Sequence, residues 1–161
     1  MTKSKWILLA EDNAIDAELT FRALNANEGG GKVVLVTDGS EALDCLRRRR
    51  AYEAQEAGYP TVVLLDLKMP MVDGVEVLRQ IKRDSELRHI PVVMFTSSRE
   101  EADLTHCYEL GANAYIVKPV GFAEYRAVLH HIRTFWLEMN ELPPGVPAES
   151  ESAAFPSTSV S

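Results

Sequence analysis

The sequence predicts an α/β fold, a doubly wound five-stranded parallel sheet, on three observations. Five apolar runs of four or five residues recur along the chain, amphipathic stretches lie between them, and glycine or proline marks many of the junctions. Continuous apolar runs this short suit strands buried on both faces, as in a parallel sheet. Strand–helix alternation repeated five times implies right-handed crossovers that set helices on both faces.

The elements follow in order. Trp6-Ile7-Leu8-Leu9-Ala10 reads as the first strand, and Asp16 to Ala26 as a helix with Leu19, Ala23 and Leu24 on one face. Gly29-Gly30-Gly31 breaks that helix from the second strand, Val33-Val34-Leu35-Val36. Ser40 to Arg50 is the second helix, carrying Ala42, Leu43 and Leu46. Gly58-Tyr59-Pro60 precedes the third strand, Val62-Val63-Leu64-Leu65. Val72 to Arg83 places Val75, Leu78 and Ile81 at helical spacing. Pro91, tolerated at the first residue of a strand, opens Val92-Val93-Met94-Phe95. Glu100 to Leu110, with Leu104, Cys107 and Tyr108, is the fourth helix, and Gly111 ends it. Ala114-Tyr115-Ile116-Val117 is the fifth strand. Phe122 to Leu137 is the fifth helix, with Phe122, Tyr125, Leu129, Ile132 and Trp136 as its stripe. From Pro143 the chain turns to Pro, Ser, Ala and Glu, so residues 1–142 form the domain and 143–161 a disordered tail.

Composition excludes several classes. The 161 residues carry 24 acids against 17 bases, a formal charge of −7, which does not suit coating nucleic acid. Arg47 to Arg50 form no flat basic stripe, since four consecutive helical residues span about 300°. No apolar run nears the ~20 residues of a membrane span, and the opening MTKSKWILLAEDN turns acidic too early for a signal peptide. Cys45 and Cys107 lie far apart in no metal pattern, which suits a reducing cytoplasm. The four histidines, His89, His106, His130 and His131, show no metal-ligand spacing either.

In open α/β sheets, ligands bind outside the carboxyl ends of the strands. There the first strand ends in Glu11-Asp12, the third in Asp66, the fourth in Thr96-Ser97 and the fifth in Lys118-Pro119. Crowded carboxylates raise one another's pKa unless a cation relieves them. All-oxygen ligation suits Mg²⁺. Carboxylate, Mg²⁺ and Lys together equip phosphoryl transfer to an aspartate, with Asp66 as nucleophile, Glu11 and Asp12 at the metal, and Thr96 and Lys118 on phosphoryl oxygens.

The run Asp66-Leu67-Lys68-Met69-Pro70-Met71-Val72-Asp73-Gly74, with Glu11-Asp12, Thr96 and Lys118-Pro119 around it, resembles the response-regulator receiver domains over roughly residues 5–137. Glu11-Asp12-Asn13-Ala14-Ile15-Asp16-Ala17-Glu18-Leu19 and Phe135-Trp136-Leu137-Glu138 are most similar to the small single-domain regulators that pair with phytochrome-type histidine kinases. The resemblance implies a flavodoxin-like (βα)5 fold of strand order 2-1-3-4-5. It implies transfer of a phosphoryl group from a kinase histidine to Asp66, with Mg²⁺ held by Asp12, Asp66 and the Lys68 backbone carbonyl, and by Glu11 through water. It further implies Thr96 and Tyr115 as the switch pair and a cis bond from Lys118 to Pro119. Lys68 and Ser98 depart from the commonest receiver pattern, at positions that tend to tune dephosphorylation.

Such a protein is a phosphoacceptor rather than a metabolic enzyme, with a histidine kinase as partner and no nucleic-acid or membrane partner. Val128, Phe135, Leu137, Met139 and Leu142 fall off the main stripe of the fifth helix, which predicts a homodimer through helix four, strand five and helix five. Two alternatives stand beside this reading. A Mg²⁺-dependent phosphohydrolase would carry its nucleophile in an Asp-x-Asp at the end of the first strand, and here the candidate ends the third. An unphosphorylated receiver-like module would not need the intact set Glu11, Asp12, Asp66, Thr96 and Lys118.

Overall fold

The computed structural model describes residues 5–25, 32–48 and 58–143. Five parallel strands, β1 (Trp6–Ala10), β2 (Lys32–Val36), β3 (Val62–Leu65), β4 (Val92–Thr96) and β5 (Ala114–Val117), stand in the order β2-β1-β3-β4-β5. This is the expected flavodoxin-like order, which makes β1 and β3 neighbours. Ala10 pairs with Leu65, so the residues that follow them, Glu11 and Asp66, leave the sheet together.

Side chains alternate across β1. Leu8 and Ala10 join a core with α2 (Gly39–Leu46), α3 (Gly74–Arg83) and Cys107 of α4 (Glu101–Glu109). Ile7 and Leu9 join the opposite core with Leu24 of α1 (Ala14–Leu24) and with Tyr125, Leu129 and Ile132 of α5 (Phe122–Arg133). Both faces are covered, as near-continuous apolar strands require.

Side-chain caps set the starts of α1, α2 and α3. The Asn13 carboxamide oxygen accepts from the N–H groups of Ile15 and Asp16 at 3.1 and 2.9 Å, so α1 begins at Ala14, two residues before the expected Asp16. Asp38 and Asp73 cap α2 and α3 in the same way, accepting from the N–H groups of Glu41 and Glu76. Helix α2 ends at Leu46 rather than Arg50, and Arg48 has a left-handed φ of 56°. Arg49, Arg50, Gly29-Gly30-Gly31 and the expected tail beyond residue 143 lie outside the described residues.

Sequence expectations fail at both of the last helices. Of the apolar residues expected inward on α4, Cys107 alone is buried, whereas Leu104 and Tyr108 are exposed. Helix α5 closes at Arg133 and passes into a π-helical turn, Thr134–Met139, where the Asn140 N–H reaches back five residues to the Phe135 carbonyl. The wider i→i+5 turn rotates the residues that follow it. Leu137, expected on the open face, is therefore buried in the core, while Phe135 and Met139 stay exposed. Phe122, placed on the buried stripe, is exposed instead.

Candidate functional site

The site forms where β1, β3, β4 and β5 end. The Glu11 N–H donates to the Val36 carbonyl at 3.0 Å and the Asp66 N–H to the Ala10 carbonyl at 3.1 Å, which extends the ladders one residue beyond the strands. Both carboxylates are thereby fixed by backbone. Gly74 completes the support. A Cβ there would lie 1.9 Å from the Asp66 carbonyl oxygen, so α3 can begin against this strand end because its first residue has no side chain.

One oxygen each of Glu11, Asp12 and Asp66 lies within 4.8 Å of the others. Glu11 is buried, Asp66 half-buried and Asp12 exposed, so the cluster opens to solvent on the Asp12 side. Asp66 Oδ1 accepts from the Leu67 N–H at 2.7 Å, which fixes the carboxylate plane. All-oxygen donors around a shared opening are the ligand chemistry of Mg²⁺ or Mn²⁺. Sequence order alone had gathered these three acids, and the folded chain brings them together.

Lys118 directly follows β5. Its N–H donates to the Thr96 carbonyl at 2.7 Å, and its buried Nζ donates to Glu11 Oε1 at 2.5 Å, Asp16 Oδ2 at 2.9 Å and Asp66 Oδ2 at 3.0 Å. The Phe95 ring lies 5.8 Å from the ammonium. No peptide bond among the described residues is cis, so the expected cis bond from Lys118 to Pro119 is corrected to trans. The backbone bond to Thr96 and the long side chain suffice to bring the ammonium to Asp66.

Burial and charge pull these groups in opposite directions. Burial pushes the Glu11 carboxyl up to about 7; the Lys118 hydrogen bond opposes that rise and the Asp66 charge adds to it. For Lys118, burial favours the neutral amine, yet its bonds to Glu11 and Asp16 and the charges of Glu11 and Asp66 carry it above its ordinary value. The ammonium is therefore permanent at neutral pH. Glu11, Asp12, Asp16 and Asp66 place four carboxyl groups around one cation, an excess that a divalent ion would relieve.

Thr96 is buried at the end of β4, and its Oγ1 accepts from the Ser98 N–H at 3.3 Å. Tyr115 is half-buried, and its hydroxyl donates to the Ser98 carbonyl at 3.0 Å. Ser98 also donates through Oγ to Asp103 Oδ2 of α4 at 2.5 Å. Ser98 thus joins the two expected switch residues to α4, a link that its sequence position did not disclose. Lys68 is exposed. Met71 adopts a left-handed φ of 68° in the loop after Asp66, uncommon for a residue with a side chain.

Asp16 is the residue that sequence reasoning missed as a partner of Lys118. A signal was present: it stands four residues past Asp12, in the first turn of a helix capped by Asn13, and so returns to the strand ends. Together with Ser97, Lys118, Phe122 and Tyr125 it borders a cavity of about 300 Å³ beside the carboxylate cluster.

Comparison with known proteins agrees with this geometry. A sequence profile described as "Response regulator receiver domain" matches residues 7–130. The probable methanogenesis regulatory protein FilR2 of Methanothrix harundinacea is 42% identical over 137 residues, covering 85% of this chain and 86% of its own. The response regulator Rcp1 of Synechocystis is 36% identical over 139 residues, 86% of this chain and 93% of its own. The structure of Rcp1 in its Mn²⁺-bound form superposes with a TM-score of 0.80 over 86% of this chain and 99% of that one. The phosphorylated cyanobacterial phytochrome response regulator RcpA is 39% identical with a TM-score of 0.82, covering 88% of this chain and 99% of its own.

Proposed function

The chain belongs to the response regulator receiver domain family, homologous to single-domain phytochrome response regulators, and on that premise we propose that Asp66 is its phosphoacceptor. A carboxylate oxygen of Asp66 forms a bond to phosphorus while the bond from phosphorus to the donor histidine breaks, and the histidine nitrogen leaves with the electron pair. The observation that carries this reading is the position of Asp66: one carboxylate is held at once by the Leu67 N–H and the Lys118 ammonium, inside the acidic cluster.

Each neighbour has a part. Lys118 already donates to Asp66 Oδ2 and is placed to donate to a phosphoryl oxygen. A bound Mg²⁺, held by Asp12, Asp66, the Lys68 backbone carbonyl and Glu11 through water, would offset charge on the transferring oxygens. The Thr96 hydroxyl turns to the phosphoryl group, whose charged oxygens accept strong hydrogen bonds. That turn releases the Ser98 N–H, and Tyr115 exchanges its bond to the Ser98 carbonyl for a more inward position. The rearrangement reaches α4 through Ser98 and Asp103.

The chain acts as a signalling switch that catalyses only its own phosphorylation and dephosphorylation, in the cytoplasm, where the buried free thiols Cys45 and Cys107 remain reduced. Its donor is a histidine kinase of the phytochrome class, a reading supported by the phytochrome system to which RcpA is ascribed. The exposed Leu104 and Tyr108 of α4, with Phe135 and Met139 beyond α5, support a homodimer through the α4–β5–α5 face.

Intact-protein mass after incubation with acetyl phosphate tests the chemistry. One added phosphoryl group that requires both Mg²⁺ and Asp66, and is lost in Asp66→Asn, is the expected result. An adduct that persists in Asp66→Asn moves the acceptor elsewhere. Many turnovers of a small phosphate ester per protein would mark a phosphohydrolase instead.

A further inference from the structure

The two cations of this site do not share all their carboxylates. Glu11 and Asp66 lie both in the oxygen cluster and on the Lys118 ammonium. Asp12 belongs to the cluster and makes no bond to Lys118 among the described interactions, whereas Asp16 bonds Lys118 and stands outside the cluster. A divalent ion in the cluster draws on Glu11 and Asp66 and repels the ammonium beside it. Asp16 is the one Lys118 partner that such an ion does not claim.

We propose that Asp16 is a positioning residue that retains the Lys118 ammonium in the site while a divalent cation occupies the Glu11–Asp12–Asp66 cluster. It acts through Lys118 and touches neither the transferring group nor the metal. All three ammonium protons are committed, to Glu11, Asp16 and Asp66. Without Asp16, Lys118 would rest on the two carboxylates the metal needs, and the two cations would compete. With it, one proton stays on α1 while the bonds to Glu11 and Asp66 adjust. The capped first turn of α1 makes this anchor firm, because Asn13 Oδ1 accepts directly from the Asp16 N–H. This inference rests on the cluster being the metal-holding set of the proposed phosphoacceptor.

Mn²⁺ affinity, read by calorimetry on the full chain without any phosphodonor, tests it as a double-mutant cycle of Asp16→Asn and Lys118→Met. Asp16 is partly exposed and borders a cavity, so its substitution meets no packing conflict. Asp16→Asn should weaken Mn²⁺ binding by about fivefold or more where Lys118 is present and by less than about twofold in Lys118→Met. Asp16→Glu, which still offers Lys118 a carboxylate, should bind Mn²⁺ within about twofold of the unsubstituted protein. Equal losses in both backgrounds, or no loss, would overturn the proposal. Because Lys118→Met leaves buried Glu11 without its cation, a change that costs folding stability, the ¹⁵N resonance of the Lys118 ammonium supplies an independent reading. In the unsubstituted protein it should persist when Mg²⁺ is added, and in Asp16→Asn it should broaden into solvent exchange. Persistence in Asp16→Asn would equally overturn the proposal. The acetyl phosphate mass shift distinguishes the two claims: an adduct on Asp66 with no Asp16–Lys118 coupling leaves the phosphoacceptor standing and removes only this inference.

Discussion

Strands β3 and β5 are both four apolar residues long and belong to one sheet, yet they hold their functional residues very differently. Every residue of β3 is fully buried, while every residue of β5, at the sheet edge, is half-buried. The helices that follow and precede them repeat the contrast. Helix α3 buries Val77, Leu78 and Ile81 and packs Gly74 directly on the Asp66 backbone. Helix α4 buries Cys107 alone. Asp66, the proposed acceptor, thus sits on the tightly packed part of the domain, and Tyr115, the proposed switch residue, on the lightly packed part. A group that must meet an incoming phosphoryl donor needs a fixed position, whereas a group that reports the event needs somewhere to move.

Truncations of α3 and α4 offer the sharpest way to break this contrast. Ile81→Ala should destabilise the domain by about 2–5 kcal/mol, the cost of removing a fully buried aliphatic side chain. The urea midpoint at constant slope measures it. A loss equal to that of a truncation on α4 would show that the two helices are held alike.

A smaller effect separates the tightly packed part from the charges it carries. Glu11 has a folded pKa of about 7 against an ordinary 4.5, raised first by burial. The folded state therefore binds this proton more tightly than the unfolded chain. The resulting stability is fully present below about pH 4.5 and is lost as the pH rises through about 7. In metal-free protein the urea midpoint should fall across that window, and Glu11→Gln should flatten the slope. An unchanged slope in Glu11→Gln would assign the pH dependence to other groups.

The smallest change in stability is expected on the lightly packed part. Leu104→Ala removes an exposed side chain and should alter stability by no more than about 0.5 kcal/mol. Its effect should instead appear in sedimentation, where the proposed homodimer predicts a dimer for the unsubstituted chain and a shift toward monomer for the variant. A concentration-independent monomer mass for the unsubstituted chain, phosphorylated or not, would remove the homodimer.

The same contrast explains what was legible in the sequence. Strands buried on both faces announce themselves as unbroken apolar runs, and β1, β3 and β4 stand where those runs lie. Strand ends carry the site, so Glu11, Asp12, Asp66, Thr96 and Lys118 could be picked out before their geometry was known. The apolar residues of α4 mislead because Cys107 and Tyr108 stand at i+3 and i+4 from Leu104, and spacing does not reveal whether a neighbour covers that face. The π turn after Arg133 was invisible because it changes the period that the reading assumes. Asp16 escaped notice because its partner is 102 residues away, a pairing no local pattern encodes.

The π turn has one more consequence, in the order of biosynthesis. The Lys5 ammonium, at the entrance to β1, donates to the Leu137 carbonyl at 2.8 Å, across 132 residues of chain. Arg133 likewise donates to the Leu24 carbonyl at the end of α1, across 109 residues. The first strand and first helix emerge from the ribosome early and wait for these partners until α5 is made. At roughly 5–20 residues per second, that wait lasts on the order of ten seconds or longer. The nascent chain therefore carries an open seam along β1 and α1 until α5 and the π turn after it have been translated.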